Sequence, residues 1–122
     1  MPIITASEAP TFEAGASTIT GLASPSRGST DCAAWRIRLA ADEPSPPHSL
    51  TREEVLIVLD GALTARYADR EEIAEAGGAL IVPPGEEVTL VAEGAPAEAV
   101  CVMAVGGEAI TADGRFTPPW AA

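Results

Sequence analysis

Apolar residues recur along this chain in short runs, each stopped by Gly, Pro, Ser or Asp. That spacing is the signature of many short strands. Over residues 33–39 the alternation is strict: Trp35, Ile37 and Leu39 point one way, Arg36 and Arg38 the other. A period of two predicts a strand buried on one face. Further strands are predicted at 17–22, 54–59, 62–67, 79–82, 88–91 and 99–105. Asp60-Gly61 reads as a hairpin turn returning through 62–67, and Asp113-Gly114 as a second hairpin within 110–116. Residues 24–30 and 42–47, rich in Ser and Pro, read as loops. The one helix-like stretch, 69–76, serves equally well as a loop or a single turn. Residues 1–14 read as weakly structured unless a partner or the folded body orders them. Many strands with no repeat and no linker predict a single all-β domain, a sandwich or a barrel.

Length and charge narrow the function. The chain has 122 residues, enough for one domain that buries roughly two-thirds of its unfolded surface. It carries 18 acidic and 7 basic residues, all seven of them Arg, for a formal charge of −11. A binder of nucleic acid or of an anionic membrane needs basic patches, so neither partner is expected. At 47% hydrophobic the chain is too apolar for an acidic disordered tail. The N-terminus shows no signal-peptide pattern and no run is long enough to span a membrane. Cys32 and Cys101, distant in sequence, read as two reduced thiols. A cytoplasmic protein is expected.

Two motifs then stand out. His48-Ser49-Leu50-Thr51-Arg52-Glu53-Glu54 is followed after six residues by Gly61. Gly77 is followed after five residues by Pro83-Pro84-Gly85 and, two residues on, by Val88. In order and with glycines and Pro83 in register, these resemble the two motifs of a small single-domain cupin of the conserved-barrel, cupin-2 type. The resemblance covers roughly residues 35–105. It implies a double-stranded β-helix, or jelly-roll, barrel, with residues 1–30 an N-terminal arm and strand and residues 31–122 the barrel, in one domain. It also implies a homodimer.

The family's metal ligands are two His and one Glu of the first motif and one His of the second. His48 and Glu54 match. Leu50 stands at the second His position, Val88 at the motif-two His and Ala92 at the closing Asn. Two protein ligands are few for a transition metal, since catalytic sites usually keep three. No cofactor is therefore expected. A divalent transition metal, if any, would be held by His48 and Glu54, with Cys101, water or substrate completing the shell.

If the motif mapping holds, His48 and Glu54 project into one cavity and are the candidate catalytic pair. Leu50, Leu56, Val58, Val88 and Leu90 would share that inner face. Cys101 and Met103 would join from a later strand whose inward phase the sequence leaves open. Arg36 is a candidate anchor for a ligand carboxylate, or else part of a solvated or dimer-facing surface. Trp35 reads as core, and Cys101 as a small buried hydrophobe. Pro118-Pro119-Trp120 would dock an aromatic ring on the barrel or on a partner subunit. An apolar pocket with a His–carboxylate pair suits proton transfer on a small, largely apolar or aromatic molecule: isomerisation, cyclisation, dehydration or decarboxylation. Four alternatives stand beside it. His48 caps backbone at the barrel mouth while Glu54 is a relic; the barrel binds or regulates without chemistry; an incomplete His/Glu site makes a metalloenzyme; or the barrel is filled, with no cavity for a ligand, and the protein is structural.

Overall fold

The computed structural model describes residues 2–122; Met1, the first residue of the expected weak N-terminal segment, lies outside them. The strands are β1 (Thr11–Ala14), β2 (Ser17–Ala23), β3 (Cys32–Leu39), β4 (Ser49–Leu50), β5 (Glu54–Asp60), β6 (Ala62–Arg66), β7 (Glu71–Glu75), β8 (Ala79–Val82), β9 (Thr89–Val91), β10 (Ala97–Ala104), β11 (Ala109–Thr111) and β12 (Gly114–Phe116). Six of them form one sheet in the order β1-β2-β3-β10-β5-β8. Opposite lie two three-stranded sheets, β12-β11-β4 and β7-β6-β9. His48 and Val88 join these two by an antiparallel bridge. Each backbone N–H donates to the other's carbonyl, at 3.1 and 2.8 Å. Two layers with a shared core make the all-β jelly-roll barrel, with apolar side chains of alternate positions turned inward.

Strict alternation fixes the inward rows of the large sheet. β10 is buried at every second residue, so Ala97, Ala99, Cys101 and Met103 face the core. Cys101 lies beside Trp35 of β3 and Leu56 of β5 in register; Met103 lies beside Ala33 and Glu54. Glu54 is also opposite Val82 of β8. A carboxyl group therefore stands in a row of apolar neighbours, because the period of β5 gives it the same phase as Leu56 and Val58.

Three sequence expectations change. Asp60-Gly61 is a turn but not a hairpin: β5 pairs with β10 and β8, while β6 pairs with β7 and β9. The turn carries the chain from one layer to the other. Gly61 takes φ 72°, and a Cβ there would lie 2.5 Å from the Pro96 carbonyl oxygen, so only glycine fits. Residues 71–75 form an edge strand rather than a helical turn. Pairing along β6, closed by the 2.8 Å bond from the Tyr67 N–H to the Arg70 carbonyl, overrides the helix preference of Glu and Ala. Part of the N-terminal segment is ordered: β1 pairs with β2 over Thr11–Ala14. The hairpin around Asp113-Gly114 is present, with Ala109, Ile110 and Thr111 facing Phe116, Arg115 and Gly114.

Candidate functional site

A cavity of about 190 Å³ lies between the layers. Its deep wall comes from the inward rows just described: Trp35, Glu54, Leu56, Cys101 and Met103. The facing layer supplies Ser45, His48, Leu50, Leu90 and Ala109. Pro46 and Phe116, which line it while exposed, mark its rim, and Trp120 closes one side.

Seven predicted residues thus meet at one cavity: His48, Leu50, Glu54, Leu56, Leu90, Cys101 and Met103. Three do not line it. Val58 and Val88 are 1% exposed and share the inward phase, but they pack into solid core beside the cavity. Val88 instead backs a shallow surface hollow with Arg66 and Tyr67. Arg36 lies on the opposite face of β3, because Trp35 takes the inward phase. There it forms an ion pair with Glu98 on neighbouring β10. An arginine so placed cannot anchor a ligand carboxylate inside the barrel.

Glu54 is the unusual group. Its residue is 6% exposed. Among the described residues no side chain forms a hydrogen bond or ion pair with it. Burial without a partner disfavours the charged form and pushes its carboxyl up to about 7. Cys101 shares this environment: burial, then the nearby Glu54 charge, push its thiol well above the usual range, while Trp35 opposes. It is a neutral thiol, not a nucleophile. His48 is only partly buried. Its Nδ1 lies 3.0 Å from the Pro46 carbonyl oxygen. A carbonyl only accepts, so Nδ1 carries a hydrogen and Nε2 is the nitrogen left for other partners. No ion pair joins His48 to Glu54 among the described residues. The two groups share a cavity without touching as a pair.

The donors do not fit the family's four-ligand metal pattern. Leu50 and Val88 replace two of its four ligands, Ala92 replaces the closing Asn, and Cys101 remains protonated. Among the described residues no cluster of three or more His, Cys, Asp or Glu side chains is arranged to hold a metal ion.

Trp120 and Phe116 were not foreseen as cavity walls, although Trp120 was expected to dock on the barrel or on a partner. It does so on the barrel: its ring meets Phe12 edge-on, centroids 6.1 Å apart at 63°. The usable signal was an aromatic residue just after Pro118-Pro119, where a stiff segment fixes where the ring lands. Phe116 shares β12 with no other apolar residue, so period gave it no face.

Among the described residues no helix is long and apolar enough to cross a membrane. No curated protein sequence matches the chain. Among solved structures it is similar to the polyketide cyclase RemF from Streptomyces resistomycificus, at 20% identity and TM-score 0.74, covering 85% of this chain and 79% of that one. It is similar to an RmlC-like cupin from Shewanella frigidimarina at 14% identity and TM-score 0.70, covering 84% and 88%. It also resembles KdgF from Halomonas sp. at 13% identity and TM-score 0.70, covering 84% and 93%. At such identities the likeness shows the fold alone. The family model for the cupin domain matches residues 35–103, more than half of the sequence, and spans both motifs and the deep wall of the cavity. The chain belongs to the cupin family.

Proposed function

We propose that this cupin acts in the cytoplasm, binds a small, largely apolar molecule in its barrel and moves a proton on it without a metal. One observation carries the reading: Glu54 is buried, has no hydrogen-bond or ion-pair partner among the described residues and borders a largely apolar cavity. A carboxyl poised near 7 exchanges protons with little driving-force penalty at neutral pH. Glu54 is then the general acid or base. His48, at the rim with Nε2 available, passes the proton between the cavity and water. Isomerisation, cyclisation, dehydration and decarboxylation all fit this pair.

The test is a thermal-shift screen of small neutral compounds, with mass spectrometry of every binder for conversion. A converted binder should lose about 10²- to 10⁴-fold in rate in Glu54→Gln while still binding. Conversion at the wild-type rate by both Glu54→Gln and His48→Ala would remove the assignment. Binding without conversion would favour a non-enzymatic, ligand-binding cupin, and no binder at all would overturn the cavity reading. Elemental analysis of tag-free protein purified without chelator tests the other rival. One metal per chain would make His48 and Glu54 ligands and overturn metal-free proton transfer.

A homodimer is part of the same reading. The outward face of the large sheet exposes Ile57 and Leu59 of β5 and Ile81 of β8. Ile57 stands in register with Val100 of β10, and Val55 with Ile81 and Val102, so the apolar residues are contiguous. Its six strands, of four to eight residues each, at about 4.8 Å spacing and about 3.4 Å per residue make a face of roughly 600 Å². A standard interface takes about 600–1,000 Å² from each partner. A second copy seated face to face is the occupant this area fits.

A further inference from the structure

The chain has only five aromatic residues, two Trp, two Phe and one Tyr. Four of them gather at one place. Trp35, Phe116 and Trp120 line the cavity, and Phe12 braces Trp120 edge-on at 6.1 Å. They come from three distant parts of the sequence, around residues 12, 35 and 116–120, so the barrel brings them together.

The Trp120 wall is built, not incidental. Arg27 donates to the Leu22 carbonyl through Nε at 3.0 Å and to the Trp120 carbonyl through Nη2 at 2.9 Å. Gly21 makes room for that clamp. A Cβ at Gly21 would stand 2.6 Å from Arg27 Nη2 and 3.3 Å from Phe12 Cε2. The guanidinium and the Phe12 ring occupy the space that any other residue would fill, and Trp120 is held where its ring meets the void.

The polar groups say what is refused. No Arg lines the cavity; its ionisable members are His48, Glu54 and Cys101. An anion would lose its water, meet no guanidinium among the described lining residues, only the rim imidazole of His48, and face a Glu54 carboxyl whose ionisation it would oppose. The size sets a limit as well: an engineered apolar cavity of about 150 Å³ takes benzene, so about 190 Å³ takes a one-ring or compact two-ring molecule.

We infer that the barrel selects an uncharged, planar aromatic molecule, with Trp120 and Phe116 as the residues that determine this specificity. The inference rests on the proposed binding of a small molecule in the cavity and adds its chemical class. Aromatic faces and edges attract one another beyond the area they bury, whereas a saturated ring gains the area alone.

Calorimetric titration of the full chain with three probes of matched skeleton tests it: 2-naphthol, decahydro-2-naphthol and 2-naphthoate. 2-Naphthol should bind best, the saturated alcohol and the carboxylate each roughly tenfold or more weakly. Trp120→Leu keeps an apolar wall and should bring the two alcohols to within about threefold of each other. Phe116→Leu, on an exposed strand, gives the same comparison if Trp120→Leu does not fold. Equal affinity of the two alcohols for the wild type would overturn the aromatic class and leave the binding cavity standing. A carboxylate as tight as 2-naphthol would overturn the charge selection. No binding by any probe would overturn both this inference and the cavity reading beneath it.

Discussion

The two faces of the six-stranded sheet invert the usual placement of polar and apolar groups. On the inward face Glu54, a carboxyl, is buried between Met103 and Val82. Three residues away on the same strand, Ile57 is 42% exposed on the outward face, and Ile81 on the neighbouring strand is 59% exposed. Strand period alone sends Glu54 in and Ile57 out; no local preference would choose either. Buried acids and exposed apolar patches are both costly to a lone domain. Their coexistence on one sheet is what the proposed proton transfer inside and the proposed dimer contact outside would account for.

The largest test of this contrast compares adjacent residues. Leu56, fully buried beside Cys101, should lose about 2–5 kcal/mol of stability on substitution by Ala. Ile57→Thr, measured at a dilution where protomers are separate, should change it by no more than about 0.5 kcal/mol. Urea unfolding of both variants reads the difference. Equal losses would mean that the outward face is part of the protomer's own core.

Next comes the acid. The Glu54 carboxyl is raised from 4.5 to about 7 in the folded protein. Between those values the unfolded chain has lost the proton and the folded one keeps it, so the folded state binds more protons and stability falls as pH rises. The contribution is full below about 4.5, declines through 7 and is constant above it, a total on the order of 3 kcal/mol. Seventeen other carboxylates titrate too, so the readout is the difference between wild type and Glu54→Gln. That difference should grow in the variant's favour from pH 5 to pH 8. A flat difference would show that Glu54 titrates as an ordinary carboxyl and would remove the basis for proton transfer near neutrality.

The outward face is tested by Ile57→Glu together with Ile81→Glu. Two acids per protomer added to an already acidic chain should shift sedimentation from dimer to monomer while the circular dichroism stays that of wild type. A wild-type protein that sediments as a monomer would show that the exposed isoleucines are not a dimer surface.

How much of this was readable from the sequence depends on whether the cause is local. The phase of 33–39 was legible because Trp35, Ile37 and Leu39 alternate with two arginines; motif spacing pointed to His48, Leu50 and Glu54, and alternation to Leu90, all of which border the cavity. The Asp60-Gly61 turn was legible as a turn. Its role was not, because a sheet-crossing corner differs from a hairpin only in which distant strands pair. Residues 71–75 misled for the same reason: Glu and Ala prefer helix, and only β6 makes them a strand. The inward phase of 97–104 needed its neighbours too, since Ala, Val, Cys and Met give no polar–apolar contrast. The aromatic wall was least legible. Phe12, Trp35, Phe116 and Trp120 meet only after closure of the barrel, and the Arg27 clamp that fixes Trp120 spans 93 positions.

The smallest expected effect separates the two faces most sharply. Arg36 forms its ion pair with Glu98 on the outward side, with the arginine side chain 49% exposed. Such pairs contribute about 0–1 kcal/mol, because water screens the attraction and two long side chains lose freedom. Arg36→Ala should therefore unfold within about 1 kcal/mol of wild type. It should also bind any cavity ligand with unchanged affinity, since the backbone of β3 separates the guanidinium from the cavity. Glu54→Gln should also still bind, but it should alter ligand conversion and the pH dependence of stability together. Isothermal titration of one cavity ligand against Arg36→Ala, with conversion of the same ligand by both variants, decides between the two assignments. A large loss of affinity in Arg36→Ala would mean that the outward face communicates with the cavity, and that an arginine one residue from Trp35 supports the wall on which the ligand rests.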